Sequence, residues 1–126
     1  MSMKKILIVD DEFNIVELLE DLLLQKGYIV EKAYNRKQAE AAIETFQPEL
    51  MLLDIKLPDG DGIEFLKQIK KNTPKIHVIM VTGLADKEIA LEALKNGAAD
   101  YICKPIDLLY LTNSVLANVI SNYREE

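Results

Sequence analysis

Five polar residues stand where apolar runs stop. Asp10 and Asp11 follow Lys5-Ile6-Leu7-Ile8-Val9, and Asp54 closes Glu49-Leu50-Met51-Leu52-Leu53. Thr82 follows the run from Ile76 to Val81, and Lys104 follows Tyr101-Ile102-Cys103. Carboxylates gathered within a few ångströms repel one another and raise at least one pKa, unless a cation intervenes. Mg²⁺ suits such a set, because it takes carboxylate oxygens in octahedral geometry and keeps several waters. Asp11 and Asp54 are expected as direct ligands, Asp10 as a ligand directly or through water, and the backbone carbonyl of Lys56 as a further oxygen. A carboxylate can also act as a nucleophile and become an aspartyl phosphate. That chemistry needs mainly positioning and neutralisation of charge. Lys104 offers a compact cation and Thr82 a hydroxyl donor.

These residues can meet only if the chain folds so that the ends of its apolar runs come together. Five such runs alternate with five helical patterns. Val16, Leu18, Leu19, Leu22 and Leu23 recur at helical spacing between Asp11 and Lys26, and Gly27 is placed to end that helix in a left-handed conformation. Tyr28 to Ala33 is a more polar strand. Asn35 can cap a helix reaching about Phe46. Glu49 to Asp54 is apolar on both faces, and the turn Leu57-Pro58-Asp59-Gly60-Asp61-Gly62 is dense in helix and strand breakers. Ile63, Leu66 and Ile69 mark a third helix, Ile76 to Val81 a fourth strand, and Asp86 to Asn96 a fourth helix stopped by Gly97. Tyr101-Ile102-Cys103 is a short fifth strand. Asp107 can cap a last helix carrying Leu108, Leu111, Val115, Leu116 and Val119. Strand and helix alternating in this way predict an α/β fold, a doubly wound parallel sheet covered on both faces. In such sheets ligands bind beyond the carboxyl ends of the strands, where all five residues fall.

The chain has 126 residues, the size of one domain, so residues 1–126 are expected to form a single unit. A formal net charge of −6 disfavours direct nucleic-acid binding, which needs clustered Lys and Arg. No apolar run approaches the ~20 residues of a membrane span. Cys103 is the one cysteine, so no internal disulfide forms, which suits a cytoplasmic setting.

Val9-Asp10-Asp11-Glu12, the stretch from Leu52 to Gly62, Val81-Thr82-Gly83 and Lys104-Pro105 together resemble the bacterial two-component response-regulator receiver domain, CheY-like and of the sporulation-phosphorelay kind. The resemblance covers nearly the whole chain. It implies a flavodoxin-like (βα)5 fold with strand order 2-1-3-4-5. By the same resemblance, Asp54 is the phosphoacceptor, and Asp10 and Asp11 hold Mg²⁺ or Mn²⁺. Thr82 and Lys104 engage the phosphoryl group, Thr82 and Tyr101 form a switch, and the bond matching Lys104-Pro105 is usually cis in the family, while the sequence itself leaves cis or trans open. The implied partners are a histidine kinase or a histidine phosphotransferase. An effector domain or a second copy would meet the face of the fourth helix, fifth strand and fifth helix. Ile15, beside the acids on the first helix, is a candidate docking residue for the kinase or phosphotransferase.

Each feature has a plainer reading. Asp10-Asp11 suits any helix N-terminus. Asp54 ahead of a Pro-Gly turn suits turn chemistry. Tyr101 and Ile15 suit core packing, His77 a half-exposed strand position, and Cys103 a small buried hydrophobe. A phosphohydrolase of the haloacid-dehalogenase type is the functional alternative. Its nucleophile would stand on the first strand with an Asp two residues later, and Glu12 occupies that place.

Overall fold

The computed structural model describes residues 4–83, 87–117 and 119–120. The strands are β1 (Lys5–Val9), β2 (Ile29–Ala33), β3 (Leu50–Leu53), β4 (His77–Thr82) and β5 (Asp100–Cys103). They form one parallel sheet in the order β2-β1-β3-β4-β5, with Val9 beside Leu53, Leu53 beside Met80, and Thr82 beside Cys103. This is the expected doubly wound order. The helices are α1 (Phe13–Gln25), α2 (Arg36–Phe46), α3 (Gly62–Asn72), α4 (Lys87–Lys95) and α5 (Leu108–Tyr110), which runs on into a π-helical segment, Leu111–Leu116. Between β3 and α3, Lys56–Leu57 and Gly60–Asp61 form a small antiparallel ribbon.

The period of two along β1 and β3 divides the core. Leu7, Val9, Met51 and Leu53 face α2, α3 and α4, where Ala39, Phe65, Leu66 and Ala93 pack. Ile6, Ile8, Leu50 and Leu52 face the other way, onto Val16, Leu19 and Leu23 of α1 and onto Leu111 and Leu116. Both central strands are therefore almost wholly buried, which their continuous apolar runs require.

Local signals end the helices. Gly27 has φ +93°, as expected of a left-handed stop after α1. The Asn35 side chain accepts from the Gln38 N–H at 2.8 Å and caps α2. Asp107 caps α5 by accepting from the Tyr110 N–H at 3.1 Å.

Several expectations need correction. α1 begins at Phe13 rather than Asp11, because the Asp10 carboxylate accepts the Glu12 N–H at 2.9 Å and holds that residue extended. Leu18 is 53% exposed rather than part of the core stripe, which narrows to Val16, Leu19 and Leu23. Cys103 is half-buried rather than buried, since β5 is an edge strand. His77 is half-buried, as expected. Asp86 and the Thr82 side chain lie outside the described residues. Among the described residues, no helix is long and apolar enough to cross a membrane.

Candidate functional site

The site is built where β1 and β3, neighbours in the middle of the sheet, reach their carboxyl ends. The sheet's hydrogen bonding carries on one residue past each strand. Asp10 N–H donates to Ala33 O at 3.1 Å, and Asp54 N–H donates to Val9 O at 3.0 Å. Both carboxylates are thus delivered by backbone that belongs to the sheet. Asp10 is 2% exposed and Asp54 5%. They are the two buried charged residues of the described chain, and buried charges demand partners.

The partner is Lys104. Its Nζ lies 2.8 Å from Asp10 Oδ2, 2.6 Å from Glu12 Oε1 and 3.3 Å from Asp54 Oδ2. The Lys104-Pro105 bond is cis, as the resemblance implied. Asp54 Oδ1 is occupied differently, accepting from the Lys56 N–H at 3.2 Å. The two oxygens of Asp54 therefore have separate tasks: Oδ1 is tied to the following turn and Oδ2 faces the cation.

The electrostatics follow from the burial. Desolvation raises the Asp10 carboxyl above its usual pKa, against the pull of Lys104 and the Glu12 N–H, and the nearby Asp54 charge pushes the same way. Burial also works against the Lys104 charge. Its contacts with Asp10 and Glu12, helped by the Asp54 charge, outweigh that cost and raise the ammonium's pKa.

The turn after Asp54 is tightly fitted. Gly62 N–H donates to Ile55 O at 2.6 Å, and a Cβ on Gly62 would stand 2.6 Å from Ile55 Cα. Only glycine lets α3 start this close to the Asp54 peptide. Asp61 then caps α3 by accepting the Ile63 N–H at 2.9 Å.

Asp10, Asp54 and Lys104 meet. Asp11 is exposed and stands outside the group. Glu12 joins instead of it in that close group: ligand oxygens of Asp10, Glu12 and Asp54 lie within 4.8 Å of one another. This all-oxygen set, held together by a single ammonium, fits a hard divalent cation. Glu12 was not among the ligands expected from the sequence, although it follows directly on Asp10-Asp11. Tyr101 is half-buried on β5, against the core face that includes Met80 and Ala93. Ile15 is half-buried on α1, against the opposite core face.

Comparisons with known proteins agree with this geometry. Residues 6–116 match the response regulator receiver domain family. Sporulation initiation phosphotransferase F of Bacillus subtilis is 36% identical over 115 residues, covering 91% of this chain and 93% of that protein. Regulatory protein AtoC of Escherichia coli is 37% identical over 107 residues, which is 85% of this chain but 23% of AtoC. The chain spans about a quarter of the length of such transcription regulators. A CheY-like receiver domain structure from Methanospirillum hungatei superposes with a TM-score of 0.90 at 38% identity, over 99% of this chain and all of that one. The haloacid-dehalogenase alternative finds no support in these matches. Receiver domains as a family bind Mg²⁺ at an acidic pocket like the one formed by Asp10, Glu12 and Asp54. With its order of strands, its acidic cluster and its lysine all in place, this chain belongs to the response-regulator receiver family.

Proposed function

We propose that Asp54 accepts a phosphoryl group from the phosphohistidine of a kinase or phosphotransferase, and that the added charge alters what this domain binds. The observation that carries the reading is the division of labour at Asp54. Oδ1 is held by the Lys56 N–H, while Oδ2 points into the pocket toward Lys104. In the transfer, an Asp54 oxygen forms the new O–P bond, the N–P bond of the donor breaks, and the imidazole leaves. Lys104 is close enough to exchange its carboxylate contacts for a phosphoryl oxygen. Thr82, at the end of β4 beside Cys103, is the proposed hydroxyl donor and, with Tyr101, the proposed switch. Asp10, Asp11, Asp54 and the Lys56 carbonyl are the proposed holders of Mg²⁺ or Mn²⁺, with Glu12 as an additional acid. The metal supplies charge neutralisation for an anionic group approaching carboxylates.

On this reading residues 1–126 work as one cytoplasmic receiver unit. The near-complete overlap with the sporulation phosphotransferase supports a stand-alone relay component, and the partial overlap with AtoC supports the front end of a longer regulator. The reading frame beyond Glu126 separates the two. Ile15 is the proposed contact for the phosphodonor protein, and the face of α4, β5 and α5 the proposed contact for an effector or second copy.

The test is phosphoramidate with MgCl2, read by intact mass. Wild type should gain one phosphoryl group that hydroxylamine removes, and chelation should prevent the gain. An equal gain in Asp54→Asn would overturn the assignment of the acceptor. Uptake that persists without a divalent cation would overturn the metal role.

A further inference from the structure

One interaction links the site to a helix that contributes no residue to it. The Asp59 carboxylate reaches across the sheet's end to α2. Its Oδ1 accepts from the Arg36 N–H at 2.7 Å and its Oδ2 from the Lys37 N–H at 3.0 Å. Asn35 takes the next donor, Gln38 N–H, so three successive N–H groups at the start of α2 are satisfied by two side chains. Arg36 reinforces the join from the other side. Its guanidinium lies 4.9 Å from the centre of the Phe65 ring and hydrogen-bonds Gln68, both on α3. Its aliphatic stem lies against Gly60, where a Cβ would come within 3.5 Å of it.

Asp59 lies in the turn that joins the two strands of the ribbon, Lys56–Leu57 and Gly60–Asp61. The Lys56 N–H orients the Asp54 carboxylate. One short, paired turn therefore separates the tether at Asp59 from Lys56. The other end of the same turn is fixed by Gly62 against Ile55.

We propose that Asp59 is a positioning residue for phosphoryl transfer: by clipping the ribbon to the start of α2, it sets the Lys56 peptide, and with it the Asp54 carboxylate and the carbonyl offered to the metal. The inference rests on the proposed function of Asp54. Hydrogen bonds outside a metal's own ligand set govern how well those ligands are aimed, and losing one typically costs about 10- to 100-fold in affinity.

The experiment compares wild type, Asp59→Ala and Asp59→Asn. The amide resonances of metal-free ¹⁵N-labelled protein are read first, then MgCl2 titrations, then uptake from phosphoramidate. Asp59→Ala should move the Arg36, Lys37 and Lys56 amides without metal and raise the half-saturating MgCl2 concentration about 10-fold. It should slow uptake at low MgCl2 and recover at high MgCl2. Asp59→Asn keeps one carbonyl acceptor and should fall between wild type and alanine in every readout. If the Arg36 and Lys37 amides move while the Lys56 amide and the MgCl2 midpoint stay at wild-type values, the clip exists but positions nothing, and the proposal fails. Absence of uptake by wild type would count against the function of Asp54, whereas the amide and MgCl2 readouts decide the role of Asp59 separately.

Discussion

The acids and the lysine of the site are supported in opposite ways. Asp10 and Asp54 follow β1 and β3, each flanked by a strand on both sides and buried on both faces. Their backbones are bonded into the sheet, and the turn beyond Asp54 is braced at Asp59, Asp61 and Gly62. Lys104 follows β5, an edge strand with one neighbour and mostly half-buried residues. What holds its ammonium is the acids themselves. The carboxylates are fixed by the fold, whereas the ammonium is placed by the charges it pairs with. On the proposed function this asymmetry would serve the transfer, since the group that takes the phosphoryl would hold still while the group that responds could change partners.

Four experiments test that contrast. The largest effect should come from the centre. Leu53→Ala empties space beside Asp54 and should cost about 2–5 kcal/mol in denaturant unfolding. A loss below that range would mean that β3 is less constrained than its burial implies. Next, MgCl2 at a hundred times its Kd should stabilise wild type by about 2.7 kcal/mol. Asp54→Asn should forfeit most of this, and an equal gain in the variant would place the cation elsewhere. Third, Gly62→Ala forces a methyl group against the Ile55 backbone and should cost about 1–3 kcal/mol, with weaker MgCl2 binding. Smallest is the edge: Cys103→Ala should change stability by about 0.5 kcal/mol or less. A larger loss would show that β5 is held as firmly as β3.

Acid titration sharpens the same comparison at Asp10. Its pKa is raised above 3.8 by burial, so the folded protein keeps this proton to higher pH than the unfolded chain does. The contribution of Asp10 to stability must then fall as pH climbs from 3.8 through the raised value, because at this group the native state binds more protons. Without metal, the difference in unfolding free energy between wild type and Asp10→Asn should drift against wild type over that window. A difference that is flat with pH would mean that Lys104 fully compensates the burial.

Much of this is legible in the sequence. The apolar runs of β1 and β3 announced a buried parallel sheet, and the strand ends announced the meeting of Asp10, Asp54 and Lys104. Gly27, Asn35 and Asp107 each signalled a helix boundary by local chemistry alone. The order of the strands came from family resemblance, since periodicity says nothing about neighbours. What stayed hidden depended on distance in space. Leu18 fits the helical period of α1, but only the packing of α1 on the sheet leaves it outside. Gln47 ends α2 with φ +53°, a conformation that a non-glycine residue does not advertise. Glu12 meets Lys104 across 92 residues of sequence, a contact that no local pattern announces. Asp59 belongs to a turn by type, and its attachment to α2 spans more than twenty residues of sequence.

The lysine in the acidic pocket also bears on the sequence of encounters in solution. Three carboxylates face one ammonium, leaving a formal excess of two negative charges at the mouth of the site. Such a pocket attracts dications and repels phosphate dianions at a distance. On the proposed function, a phosphodonor that meets the domain after a cation would approach an almost neutral pocket, and one that arrives earlier would meet net repulsion. Charge alone would then give the site an order of arrival, with no moving part required to enforce it.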